Sequence, residues 1–158
     1  MTRKSKTGKF AVMGVTGPDR AGHAPYIGAV RRCLEAREVQ VITVSLSGDD
    51  GRRSALMLLG PADTAAVTET GFRDSTVTWD EENGWSLAAR RGAEAVATSD
   101  PVYKGFGVVP DPDDVAAWVV VLLAHPELTP SREDYPFRDR SVHDPAFEES
   151  LARYAATV

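Results

Sequence analysis

The stretch TVTWDEENGWSLAARRG, residues 76–92, decides how the chain is read. Three consecutive acids, Asp80, Glu81 and Glu82, stand between Trp79 and Trp85. In an extended backbone successive side chains point to opposite faces, so three neighbours cannot converge on one cation without a special loop. Asn83 and Gly84 tolerate positive φ and close a turn. The segment therefore reads as a β-hairpin, with STVTWD and GWSLAAR as its strands. The tryptophans are its packed shoulders and the acids its solvated tip.

Upstream, EVQVITVSLSG and RRSALMLLG flank the turn residues GDDG at 48–51 and form a second hairpin. The first of these strands carries apolar residues on both parities, which predicts an interior strand. The helix APYIGAVRRCLEAR precedes it, with Tyr26, Val30, Cys33 and Leu34 at helical spacing and Pro25 in the first turn. KFAVMGV, residues 9–15, reads as a short first strand, and residues 61–71 as a short helix or irregular crossing.

Downstream, a loop-rich stretch runs into Asp111-Pro112-Asp113-Asp114, a cap, a first-turn proline and two acids at the positive end of a helix dipole. Val115, Trp118, Val119, Leu122 and Leu123 make that helix's buried stripe. Asp144-Pro145 repeats the start signal for a last helix with Phe147, Leu151, Tyr154 and Ala155 on one face. That face docks on its own domain or on a neighbouring subunit, and Phe147, Leu151 and Tyr154 are the candidate interface residues.

Strands joined by tight turns are antiparallel. The expected fold class is α+β, a single antiparallel sheet of four or five strands with helices packed mainly on one face. The expected organisation is a disordered basic leader (1–8), an α+β domain (9–125), an extended linker (126–143) and a C-terminal amphipathic helix (144–158).

The chain has 158 residues, 42% hydrophobic and 26% charged, which suits one globular domain. A net charge of −5 argues against nucleic acid binding except through the leader, where Arg3, Lys4, Lys6 and Lys9 crowd together. The single cysteine, Cys33, allows no intramolecular disulfide and suits a reducing cytoplasm. The longest apolar run, 115–124, is too short for a membrane span. A cytoplasmic protein without a membrane anchor is expected.

His23, His125 and His143 are far apart, and one cysteine makes no zinc cluster, so no metal ligands and no cofactor are assigned. Asp111, Asp113 and Asp114 lack the distal glutamate of a calcium loop and read as helix capping. Cys33 lies on an apolar helix stripe, and no nucleophile elbow or phosphate-binding glycine motif occurs; GFGVVP has Pro110 at its sixth place. No catalytic residue is assigned, and the reading leans away from an enzyme. YKGFG, with Tyr103, Lys104 and Phe106, reads as a ligand- or partner-binding loop ahead of a helix N-terminus.

Two resemblances add to this. TVTWDEENGWSL followed by GFGVVPDPDDVAAWVVVLL, after the YIGAVRRCLEAREVQV unit, resembles an actinobacterial domain-of-unknown-function family, number six-two-nine-two, over residues 22–125. Thr78 departs from the family's aliphatic residue, and the tail after His125 is extra. The resemblance implies an α+β domain of the bacterial cytoplasm and no catalytic residues. Residues 10–41 are similar to the opening of ACT domains: Gly17, Pro18, Asp19, Arg20 and Gly22 match the GPDRPG loop, with Ala21 in place of the proline. That similarity implies a sensor of an amino acid or related small molecule, with Asp19, Arg20 and His23 at the ligand. The leading expectation is a non-enzymatic module that binds a protein partner or its own copy. The ACT-like sensor is the alternative, and an enzyme of unfamiliar type using carboxylates and His23 is the third.

Overall fold

The computed structural model describes residues 21–48, 51–60, 72–91, 101–125 and 136–156. The expected leader, the first strand at 9–15, the crossing at 61–71 and Asp19 and Arg20 lie outside the described residues.

Helix α1 (Ala24–Glu35) starts with Pro25 in its first turn and buries Tyr26, Ile27, Val30 and Leu34. Four described strands follow as an antiparallel meander: β1 (Val41–Ser47), β2 (Ser54–Leu59), β3 (Phe72–Asp80) and β4 (Gly84–Arg91). A two-residue β5 (Val102–Tyr103) pairs with β4, so the order is β1-β2-β3-β4-β5. Helices α2 (Pro112–Ala124) and α3 (Pro145–Ala155) complete the described fold, and both pack on α1. The α+β class is as the sequence predicts.

Register explains the core. Ala55 pairs with Trp79 and Trp79 with Trp85; Met57 pairs with Val77 and Val77 with Leu87. These residues therefore line one face of the sheet, and all are buried in one cluster with the apolar stripes of the three helices. Tyr26 of α1 sits edge-on to both tryptophans, with ring centroids 6.1 Å apart in each case. Burying a tryptophan removes about 150–250 Å² from water, or roughly 4–6 kcal/mol at ~25 cal/mol/Å² as an upper bound. The opposite face is hydroxyl-rich; Thr78 Oγ1 and Ser86 Oγ share a hydrogen bond of 2.6 Å there.

Both helix starts behave as their sequences predict. Asp111 accepts the Asp113 N–H at 2.8 Å, and Asp144 accepts the Phe147 N–H at 3.2 Å.

Two local expectations are corrected. β1 was expected inside the sheet, but among the described strands it is an edge, with a register irregularity between Val41 and Thr43. Apolar residues on both parities report side-chain type, whereas lateral position depends on which other strands pair. The hairpin turn spans three residues: Asp80 pairs with Gly84, and only Gly84 takes positive φ, at 73°. Asn83 instead donates from its backbone N–H to Asp80 Oδ1 at 2.9 Å, an aspartate-closed turn that ends in a glycine of positive φ.

Candidate functional site

Two features meet around this hairpin: a buried charge cluster on one side and an exposed aromatic loop on the other. The charge cluster overturns the solvated-tip reading. Glu81 is only 1% exposed and Arg53 only 5%. Glu81 accepts from the Arg53 backbone N–H at 2.8 Å, from its Nε at 3.1 Å and from its Nη2 at 2.8 Å. The same guanidinium donates to Glu148 of α3, with Nη2 at 2.7 Å from Oε1 and Nη1 at 2.9 Å from Oε2. Arg138 donates to Glu81 Oε2 at 2.9 Å. The Phe147 ring lies under both guanidinium groups, 4.8 Å from Arg53 and 4.1 Å from Arg138.

Among the described residues two arginines thus face two glutamates, and Asp144 Oδ2 stands 4.0 Å from Arg138 Nε. Burial pushes the Glu81 carboxyl up, but the Arg53 amide and guanidinium, with Arg138, outweigh it and hold Glu81 below its ordinary range. Burial likewise raises Glu148, and its bonds from Arg53 and the Ala21 amide bring it below the ordinary range. A carboxylate held ionised between arginines is a poor proton donor, so the geometry suits a structural lock rather than acid catalysis.

The remaining acids of the turn are also engaged. Asp80 Oδ1 accepts the Glu82 N–H at 2.9 Å, and Asp80 Oδ2 pairs with Arg52 at 3.0 Å. The Phe137 N–H donates to the Glu82 carbonyl at 2.7 Å. Residues 136–143, within the stretch expected as an extended linker, therefore lie against the turn.

The second feature is the loop after β5. The Lys104 N–H bonds the Trp85 carbonyl at 2.9 Å. Trp79 Nε1 donates to the Val108 carbonyl at 2.7 Å, and the Tyr26 hydroxyl donates to the Pro110 carbonyl at 2.8 Å. Trp85 Nε1 donates in turn to the Tyr26 oxygen at 2.9 Å. The polar atoms of the core aromatics are thus spent on pinning this loop and on each other. Between the pins, Gly105, Phe106 and Gly107 have φ of 70°, 63° and 85°. Glycine occupies such conformations freely, whereas phenylalanine at positive φ costs on the order of 1–2 kcal/mol. The Gly107 carbonyl approaches the hairpin so closely that a Cβ on Gly84 would lie 2.8 Å from it. Phe106 is 87% exposed, and Lys104 Nζ stands 5.2 Å from its ring centroid.

The expected site residues are placed as follows. Tyr103 ends β5, opposite Ser86, and Lys104 and Phe106 follow it in the loop; Tyr103 and Lys104 are half-buried. His23 precedes α1; its Nε2 is 2.9 Å from the Ser54 carbonyl, and its ring stacks on Trp79 at 5.6 Å. Trp79 therefore joins His23 to the loop through its own ring. Phe147 and Leu151 are buried in their own chain, and the half-buried Tyr154 ring lies 5.0 Å from Tyr26. The apolar face of α3 is docked in cis. Cys33 lines an open cleft of about 370 Å³ between α1 and α2, bordered by the Arg37–Asp113 ion pair at 2.7 Å.

Arg53, Arg138 and Glu148 carry no assignment from the sequence, and Glu81 is read there only as part of a solvated tip, although half the signal was there. Arg53 continues the inward parity of Ala55, Met57 and Leu59, and Glu81 continues that of Val77 and Trp79. Among the described residues no group of three His, Cys, Asp or Glu could hold a metal ion, and no helix is long and apolar enough to cross a membrane.

The fold and the site define an α+β domain whose tryptophan hairpin carries a pinned aromatic loop. The chain belongs to the family of unknown function DUF6292, whose profile matches residues 26–121. A search of curated proteins and a search of solved structures gave no match. Arg53, Glu81 and Phe106 fall inside the matched span, while Arg138, Phe147 and Glu148 fall beyond it.

Proposed function

We propose that this protein is a self-associating binding module of the cytoplasm rather than an enzyme, and that it engages a protein partner through the Phe106 loop. One observation carries the reading. A large aromatic side chain stands 87% exposed on a backbone of positive φ, at the tip of a loop pinned to three core aromatics. Strained, solvent-facing positions of this kind are retained where they serve recognition, and rigid exposed aromatics are typical anchors of protein interfaces. A pinned loop has already given up its conformational freedom, which lowers the cost of ordering it on binding. The charged groups nearby support the same reading, because Arg53, Glu81, Arg138 and Glu148 bind one another.

The test is to place a photo-crosslinking phenylalanine analogue at Phe106 in host cells. A discrete adduct is expected, lost in competition with excess wild-type protein and kept in competition with Phe106→Gly. An adduct yield no higher than that from the exposed control position Val121 would defeat the reading.

A further inference from the structure

The two edges of the sheet are unlike. β5 has two residues, the short form that natural sheets use to blunt an edge. β1 has seven, VITVSLS, without a charge or a proline. Its one protective device is the irregularity between Val41 and Thr43, which leaves Thr43–Ser47 in regular register. The strand is bare on its faces as well: Ile42 is 51% exposed, Leu46 47% and the neighbouring Leu56 40%. Among the described strands nothing pairs with its outer side. Such an edge is a template for strand addition.

We propose that β1 pairs antiparallel with β1 of a second copy about a two-fold axis at Ser45, joining two five-stranded sheets into one. This deepens the proposed self-association by assigning its surface. The occupant follows from self-complementarity. Val44 and Leu46 pair with Met57 and Ala55, so both lie on the helix-bearing face, whereas Thr43, Ser45 and Ser47 lie on the other. An axis at Ser45 sets Val44 opposite Leu46 of the partner subunit, Thr43 opposite Ser47, and Ser45 opposite itself. Apolar side chains then meet apolar ones, hydroxyls meet hydroxyls, and no like charges face each other. A five-residue pairing covers less than the roughly 800 Å² per partner of a standard interface, so the dimer is expected to be weak, forming at about micromolar concentrations or above.

The test uses the full chain with Cys33→Ser. Under mild oxidation Ser45→Cys should give a covalent dimer, because facing Cβ atoms across an antiparallel pair are about 4.5–5.5 Å apart. Thr43→Cys should not, because its symmetry mate lies four residues along the strand, roughly 13 Å away. In sedimentation from ~10 to ~500 μM, spanning weak interfaces, the mass should rise from 17.0 kDa towards twice that value. Leu46→Lys should weaken the dimer at least ~10-fold, with an unchanged circular dichroism spectrum. Phe106→Gly should leave dimerisation intact whether or not the loop binds a partner, which separates this proposal from the loop reading. A chain that stays at 17.0 kDa throughout, as when a segment of its own occupies the edge, overturns the proposal. So does equal crosslinking by Thr43→Cys, or a dimer lost in Phe106→Gly but kept in Leu46→Lys.

Discussion

The β3–β4 turn and the Gly105–Gly107 loop touch each other, yet they invert the usual rule of burial. In the turn, a glutamate is nearly sealed from water; in the loop, a phenylalanine stands almost wholly in it. The buried charge is tolerated because every approach to it is answered by an arginine or an amide. The exposed ring is held out because the backbone on both sides of it is tied to Trp85, Trp79 and Tyr26. One feature closes the fold on itself, and the other turns it outward. The pairing also crosses the edge of the family match, since residues beyond 121 supply half of the charge cluster.

The contrast breaks most readily at the charge cluster. Glu81→Ala leaves Arg53 buried with one carboxylate instead of two, and is expected to cost about 3–5 kcal/mol, read from urea unfolding at pH 7. If Glu81 were a solvated tip after all, the loss would stay below ~0.5 kcal/mol.

Acid should act on the same cluster by a different route. Glu81 and Glu148 titrate below their ordinary 4.5 in the folded chain. Near and below that value the unfolded chain binds more protons, so stability rises with pH through the window. The expected profile is flat above about pH 5 and falls as pH drops through the folded values. Glu81→Gln should flatten the fall; an equally steep profile in that variant would place the acid sensitivity elsewhere.

A smaller effect tests the pins of the loop. Trp79→Phe deletes the indole N–H together with its five-membered ring, so the Val108 carbonyl loses its donor at a cost of about 1–3 kcal/mol, and the void left in the core adds to that loss. Amide exchange at Gly107 and Val108 should quicken in this variant; unchanged exchange would mean that the tryptophan does not hold the loop.

The smallest effect sharpens the comparison. Phe106→Gly removes an exposed ring and relieves positive φ, so stability should stay level or rise by up to ~1 kcal/mol while crosslinking competition is lost. A destabilised variant would show that the ring packs, contrary to its exposure.

Much of the fold was legible because its signals are local. The Trp79–Trp85 hairpin follows from turn chemistry and alternation, and the starts of α2 and α3 follow from aspartate-proline capping. Phe106 could be named because glycines flank an aromatic, but its 87% exposure could not be read from the string. The charge cluster was half legible. Parity places Arg53 and Glu81 inward, yet a charge at the end of an apolar run ordinarily reads as the point where a strand meets water.

The sequence by itself determined the three described helices, the four longer strands, the caps of α2 and α3 and the antiparallel class, because these depend on neighbours a few residues apart. Only the tertiary structure decided which charges are interior, that β1 lies at an edge of the described sheet, and that the α3 face is docked in cis. Those outcomes depend on contacts such as Arg53 with Glu148, 95 residues apart. No local pattern encodes a pairing of that range, and its cost in desolvation is offset only when all four partners arrive together.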